Sequence, residues 1–220
     1  MRTDHPDRSP KDVEQEQLIM RIARRALLVT MGGLLGSAVL AQTPPPARVR
    51  GTIDQADAGT LRVTVRSGDK VTVLMRPDTA ITVIAPAKIT DIEPGSYIGT
   101  AAMPLPDGSL QAIEIQVFPP SMRGVGEGHR PYDLQPQSTM TNGTVGAVIG
   151  TEGRTLTLSY KGGEKKVLVP ADAPIITYEP GTPAMLVPGA HVIITTAKAA
   201  DGTLSADRVG VGKGGLTPPM

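Results

Sequence analysis

The 220-residue chain has no cysteine and no tryptophan, and its aromatic side chains are one phenylalanine and four tyrosines. Without cysteine there is no disulfide framework, no thiolate metal site, no lipid-modified cysteine and no cysteine nucleophile. Five rings are too few for a ligand site resting on aromatic walls or cages, so the core has to be built from Val, Ile, Leu, Ala and Met. A formal net charge of +1 provides no polybasic surface, which excludes nucleic acid as the default partner. There is no G-x-S-x-G nucleophile elbow and no glycine loop ending in G-K-[ST]. The glycine runs at 124–128 and 210–215 lie in no strand-to-helix context. The acids, Asp54, Asp57, Asp69, Asp107 and Asp201, are expected mostly in turns, where turn formation already explains them, so no carboxylate pair for glycoside hydrolysis stands out.

One long uncharged apolar run is present, residues 26–41, directly after Arg21, Arg24 and Arg25. A basic segment, an apolar stretch and a V-L-A ending predict a signal peptide cleaved after Ala41. The run is shorter than the ~20 residues of a spanning helix. Met20 would begin a compact 22-residue signal, and the Arg24-Arg25 pair also fits a twin-arginine signal. The expected location is the periplasm or the exterior, with a membrane anchor if the segment stays uncleaved. No integral membrane domain is expected beyond this segment. Past Ala41 the chain carries 16 Lys/Arg and 16 Asp/Glu, a balance with no preference for polyanions.

Self-similarity organises the remainder. Gly51-Thr52-Ile53 recurs as Gly143-Thr144-Val145, and Thr60-Leu61-Arg62-Val63-Thr64-Val65 as Thr155-Leu156-Thr157-Leu158-Ser159-Tyr160. Further on, Glu93-Pro94-Gly95 answers Val187-Pro188-Gly189, and Asp107-Gly108-Ser109-Leu110 answers Asp201-Gly202-Thr203-Leu204. The landmarks divide the chain into a signal segment with a polar extension (1–41), a first module (47–118), a Gly/Pro-rich linker (119–140), a second module (141–213) and a frayed tail (214–220). Within each module the apolar period is two: Leu61, Val63 and Val65, a turn at Ser67-Gly68-Asp69-Lys70, then Val71, Val73 and Met75. About six short strands per module are expected, near 47–55, 60–66, 70–75, 80–84, 96–103 and 109–117 in the first, with no sustained helical period. A ~70-residue sheet alone would expose two edges. The predicted fold class is therefore all-β, two tandem small antiparallel OB-like barrels.

These motifs, G-T-[IV], T-L-x-[VL]-x-[VY], a Pro-Gly before a strand and D-G-[ST]-L before the last strand, resemble a bacterial exported domain family of unknown function found singly or in tandem. The resemblance covers both modules and implies small OB-like β-barrels. It carries over no catalytic residue. Some relatives of this two-module kind bear transporter-permease labels, which a chain with one apolar run does not match.

Candidate chemistry gathers in the linker. Glu127, His129 and Asp133 offer an imidazole and two carboxylates within seven residues, a set that could hold a divalent ion or small ligand. The competing structural expectation pairs Arg123 and Arg130 with Glu127 and Asp133, while Tyr132 and Leu134 pack on a barrel. His191, at the start of a strand, is expected at a barrel rim. The function expected is that of an exported, non-enzymatic protein that binds or scaffolds in the cell envelope through its two barrel modules, its partner an envelope protein or a small ligand. The alternative is a periplasmic metal- or small-ligand-binding accessory protein, transport-associated, that uses the linker. No other cofactor is called for. Phe118 and Tyr132 beside the connector point to the seam between the modules.

Overall fold

Alternation of apolar and polar side chains produces twelve strands in the residues described, 47–149 and 154–219 of a computed structural model. The expected signal segment and its cleavage point after Ala41 lie outside the described residues. The first three strands are β1 (Ala47–Asp57), β2 (Thr60–Val65) and β3 (Lys70–Pro86). On them Ile53, Leu61, Val63 and Val73 are buried while Arg62 and Thr72 face solvent. A second hairpin, β4 (Tyr97–Pro104) and β5 (Leu110–Val117), turns at Asp107-Gly108. There Gly108 takes φ 83° and Asp107 Oδ1 accepts hydrogen bonds from the backbone N–H and hydroxyl of Ser109.

The remaining strands are β6 (Gly128–Pro131), β7 (Thr139–Ile149), β8 (Thr155–Tyr160), β9 (Gly163–Leu168), β10 (Ile175–Pro180), β11 (His191–Lys198) and β12 (Leu204–Gly212). The predicted strands at 70–75 and 80–84 merge into one 17-residue strand, β3. Their counterparts stay separate as β9 and β10, because Pro170 and Pro174 bracket a turn that cannot donate to a ladder at those positions.

Strand pairing runs across the chain rather than within contiguous halves. β1, β2 and β3 form an antiparallel meander, and β11 and β12 complete it into a closed five-strand barrel. β12 lies parallel to β3, and β11 joins β12 to β1. The core of this barrel is Val49, Ile53, Leu61, Val63, Val192 and Val209 with their neighbours. A second ring links β4, β5, β9, β8 and β7, its β5/β9 joint being the parallel pairing of Leu110 and Gln111 with Val167 and Leu168. Ile98, Leu110, Ile115, Leu156 and Leu158 fill it.

Neither ring is therefore made from one contiguous module, and the pairing is not purely antiparallel. The hairpin β4/β5 serves the ring of β7–β9, and β11/β12 serves the barrel of β1–β3. The two hairpins share one register at a displacement of 94 residues: Ile98 faces Val117 as Val192 faces Val211, with bulges at Ala101/Ala102 and Thr195/Thr196. Interchangeable registers mean that local sequence offers β1 two equivalent partners. Only the path of the chain chooses between them.

Expected as an ordered connector without strand period, the linker is ordered by a 3-10 turn at Pro120–Met122 and does contain a strand, β6, which pairs with β7. The tail is docked rather than frayed through Thr217 and Pro218: Pro218 is buried and its carbonyl accepts a hydrogen bond from Arg66 Nη2 at 3.2 Å. Among the described residues no helix is long and apolar enough to cross a membrane.

The β1/β11 register sets Thr52 opposite His191. Directly paired antiparallel residues have Cα atoms about 4.5–5.5 Å apart, within disulfide reach. In this cysteine-free chain, the Thr52→Cys/His191→Cys double variant is expected to oxidise within a single chain, read as monomer mass with no free thiol. A pair that stays reduced under oxidant would contradict the exchange of hairpins.

Candidate functional site

The rings meet where the far end of β3 pairs antiparallel with β10, Ile84 facing Tyr178. Ile84, Ile176 and Ile193 form a small separate core there, with Tyr178 and Leu216 against it. Phe118, just after β5, stacks on Tyr178 at 5.5 Å with planes 13° apart, and Tyr97 lies 5.5 Å from Phe118 with its plane tilted by 41°. The linker crosses this aromatic row. The Val125 carbonyl accepts hydrogen bonds from Tyr97 Oη at 3.2 Å and Asn142 Nδ2 at 2.9 Å. Beneath the linker lies a cavity of about 150 Å³, floored by Ile84, Phe118, Met140 and Tyr178 and rimmed by Arg48, Arg130 and Arg208.

The linker residues singled out in the sequence do not converge. Asp133 reaches back to β1, accepting from Arg48 Nη1 at 3.1 Å and Arg50 Nη2 at 2.9 Å. Burial pushes its carboxyl up, but the guanidinium groups of Arg50 and Arg48 prevail and hold it below the usual aspartate range. Glu127 accepts the backbone N–H of Lys161 at 2.9 Å. His129 Nδ1 shares a 2.8 Å hydrogen bond with Thr141 Oγ1, and its ring stacks against Tyr160. Burial, and then the charge of Lys165, lower the His129 pKa. Among the described residues no three of His, Asp and Glu are arranged to hold a metal ion.

The linker arginines, expected to pair with Glu127 and Asp133, bind carbonyls instead. Arg123 donates to the Gly95 oxygen at 2.6 Å and Arg130 to the Gly126 oxygen at 2.7 Å. Tyr132 packs under Arg48, whose guanidinium carbon lies 4.7 Å from the ring centroid. His191 does open a strand, β11, and shares a 3.0 Å hydrogen bond with Thr52.

A buried polar chain behind the cavity is legible only in three dimensions. Tyr178 Oη donates to Gln116 Oε1 at 2.7 Å, and Gln116 Nε2 donates to Glu114 Oε1 at 2.6 Å. Glu114 is fully buried, and its Oε2 has no hydrogen-bond partner among the described residues. Burial pushes the Glu114 carboxyl up to about 7, against the hydrogen bond from Gln116 and the charge of Arg50. Burial also drives the Tyr178 hydroxyl far upward, reinforced by Glu114. In sequence, Ile113-Glu114-Ile115-Gln116-Val117 reads as a strand with its polar face outward. That polar face is the one the other ring covers. The only hint was the pairing of Glu and Gln with aromatic Phe118 at the linker boundary.

In comparisons with known proteins, no family model, curated protein or solved structure matches this chain.

Glu114 carries a measurable pH dependence. Its folded pKa is raised, so between about 4.5 and about 7 the folded chain holds a proton that the unfolded chain releases. Stability therefore falls as the pH rises through this window and levels off above it. Glu114→Gln keeps the acceptor for Gln116 without the charge. At pH 8 it is expected to be more stable than the parent by on the order of 2 kcal/mol, with a flatter profile of melting temperature against pH. A variant less stable than the parent at pH 8 would refute the assignment.

Proposed function

We propose that this chain is an exported, non-enzymatic binding protein of the cell envelope, with the seam between its two rings as the binding site. One observation carries the reading: the linker, both rings and the aromatic row converge on a single cavity of about 150 Å³. The side chains that line it suit binding. Arginine and buried tyrosine each keep one protonation state near neutral pH, while the amide of Gln116 separates Glu114 from Tyr178. Function in small β-barrels is commonly carried at such a surface rather than in the packed interior.

Within the same reading, the modules are two tandem OB-like repeats that have exchanged their last two strands. The path β1-β2-β3-β12-β11-β1, with its one parallel joint at β3/β12, resembles the order 1-2-3-5-4-1 of an OB barrel. This order, the shared bulges and the turn motifs all support kinship with the exported domain family described above. Arg21, Arg24 and Arg25 ahead of the apolar run 26–41 support a signal peptide before the folded part.

Two measurements test the proposal. The N-terminus of the protein recovered from a periplasmic extract is expected to be Gln42; an intact leader on protein retained in the cytoplasm would overturn the export reading. Thermal shift of the mature chain against a panel of small anionic, neutral and cationic metabolites is expected to raise the melting temperature for at least one class. The cavity-filling Thr195→Phe variant should abolish that rise. A rise that persists in Thr195→Phe would remove the seam as the site.

A further inference from the structure

The seam cavity is asymmetric in charge. Three guanidinium groups border it, Arg48, Arg130 and Arg208, and no carboxylate lines it. Arg48 is committed to Asp133 and to the Tyr132 ring. Arg130 spends one N–H on the Gly126 carbonyl, and among the described residues neither Arg130 nor Arg208 has a carboxylate partner. Arg130 is half-buried in this setting. Burial, and then repulsion from Arg48, depress its pKa, which Tyr132 and Tyr97 only partly offset. Crowding two cations beside an apolar floor is unfavourable unless an anion joins them.

Comparison of residues 94 apart locates what is special about this cavity. Glu114 and Arg208 occupy equivalent positions in the two hairpins, as do Gln116 and Gly210. Across the β3/β10 pairing, Ile84 stands where its equivalent is Tyr178. The pseudo-equivalent residues are thus most unlike each other at the cavity wall. A carboxylate is buried behind the wall on one side, a guanidinium is presented on the other, and an aromatic floor occurs once. Gly210 also keeps the wall open: a Cβ there would stand 2.7 Å from Ile84 Cδ1.

Resting on the seam as the binding site, we infer that its ligand is a small planar carboxylate about one ring in size, the carboxylate held by Arg130 and Arg208 and the flat body seated on Phe118 and Tyr178. Size suits such a ligand, because about 150 Å³ has room for about one benzene-sized group. Guanidinium forks match a carboxylate in plane and in charge, and the apolar floor rewards a flat hydrophobic body over a hydrated inorganic ion.

Benzoate is the probe, with neutral benzamide and cationic benzamidine as isosteric controls. Binding is read from amide chemical shifts of Gly126, Asn142 and Gly210 in the mature chain. Benzoate is expected to perturb these three signals saturably and benzamidine not at all. Arg130→Gln and Arg208→Gln should each weaken benzoate by about tenfold or more, the scale of one charge-assisted hydrogen bond, and leave benzamide unchanged. Arg208 is exposed, so its variant keeps the test valid if Arg130→Gln fails to fold. Benzamide or benzamidine binding at the seam as tightly as benzoate would overturn the carboxylate assignment and leave the seam reading standing. Benzoate that perturbs none of the three signals would also overturn it, whatever the metabolite panel shows. Equal binding of inorganic phosphate would overturn the requirement for a planar body.

Discussion

Edge closure is the constraint on which the molecule depends. A three-strand meander such as β1–β3 leaves two rows of unpaired backbone groups, and each has to find a partner or be exposed to other chains. Here β11 pairs with β1 and β12 with β3, so the barrel closes only when the last strands of the chain return to the first. The reciprocal hairpin, β4/β5, closes against β7 and β9. Each hairpin brings its own apolar plug, Ile92 ahead of β4 and Leu186 ahead of β11, into the ring it joins. The two cores are thereby bound to each other by the chain itself, and the linker is a structural necessity rather than a tether.

The same crossing creates the seam. Because β10 pairs edge to edge with both β3 and β5, the polar side of β5 is buried at the seam instead of meeting water. That burial is costly for Glu114, whose carboxyl is driven toward neutrality, and it is partly offset by the chain of hydrogen bonds through Gln116 to Tyr178. Natural sequences keep such locally unfavourable arrangements mainly where they serve a site. The sparse aromatic residues obey the same geometry. Tyr97, Phe118 and Tyr178 form the row at the seam, while Tyr132 and Tyr160 meet Arg48 and the linker's His129.

Most strands were legible in the sequence because a period of two and a Gly- or Asp-containing turn are local signals. The hairpin at Asp107-Gly108 and the buried stripe of Leu61 and Val63 fall where the pattern puts them. The continuity of β3 was less so: the apolar pattern breaks between the strands expected at 70–75 and 80–84, and the residues of that gap, Pro77 and Asp78 among them, sit in a register shift against β12. The linker ion pairs were misassigned for a different reason. Arg123 and Arg130 are near Glu127 and Asp133 in sequence, yet the best-placed donors for Asp133 are Arg48 and Arg50, more than 80 residues away. Long-range salt bridges leave no spacing signature.

By itself the sequence determined the all-β class, the positions of nearly all strands and turns, and ring interiors filled by aliphatic side chains without disulfides. Each of these follows from side-chain alternation and turn chemistry within a few residues. Tertiary structure alone decided which hairpin closes which ring, and hence that Glu114, Gln116 and Tyr178 are packed beside a cavity bordered by three arginines. Two hairpins with the same register offer the same hydrogen bonds to either partner, so the choice rests on the path of the whole chain.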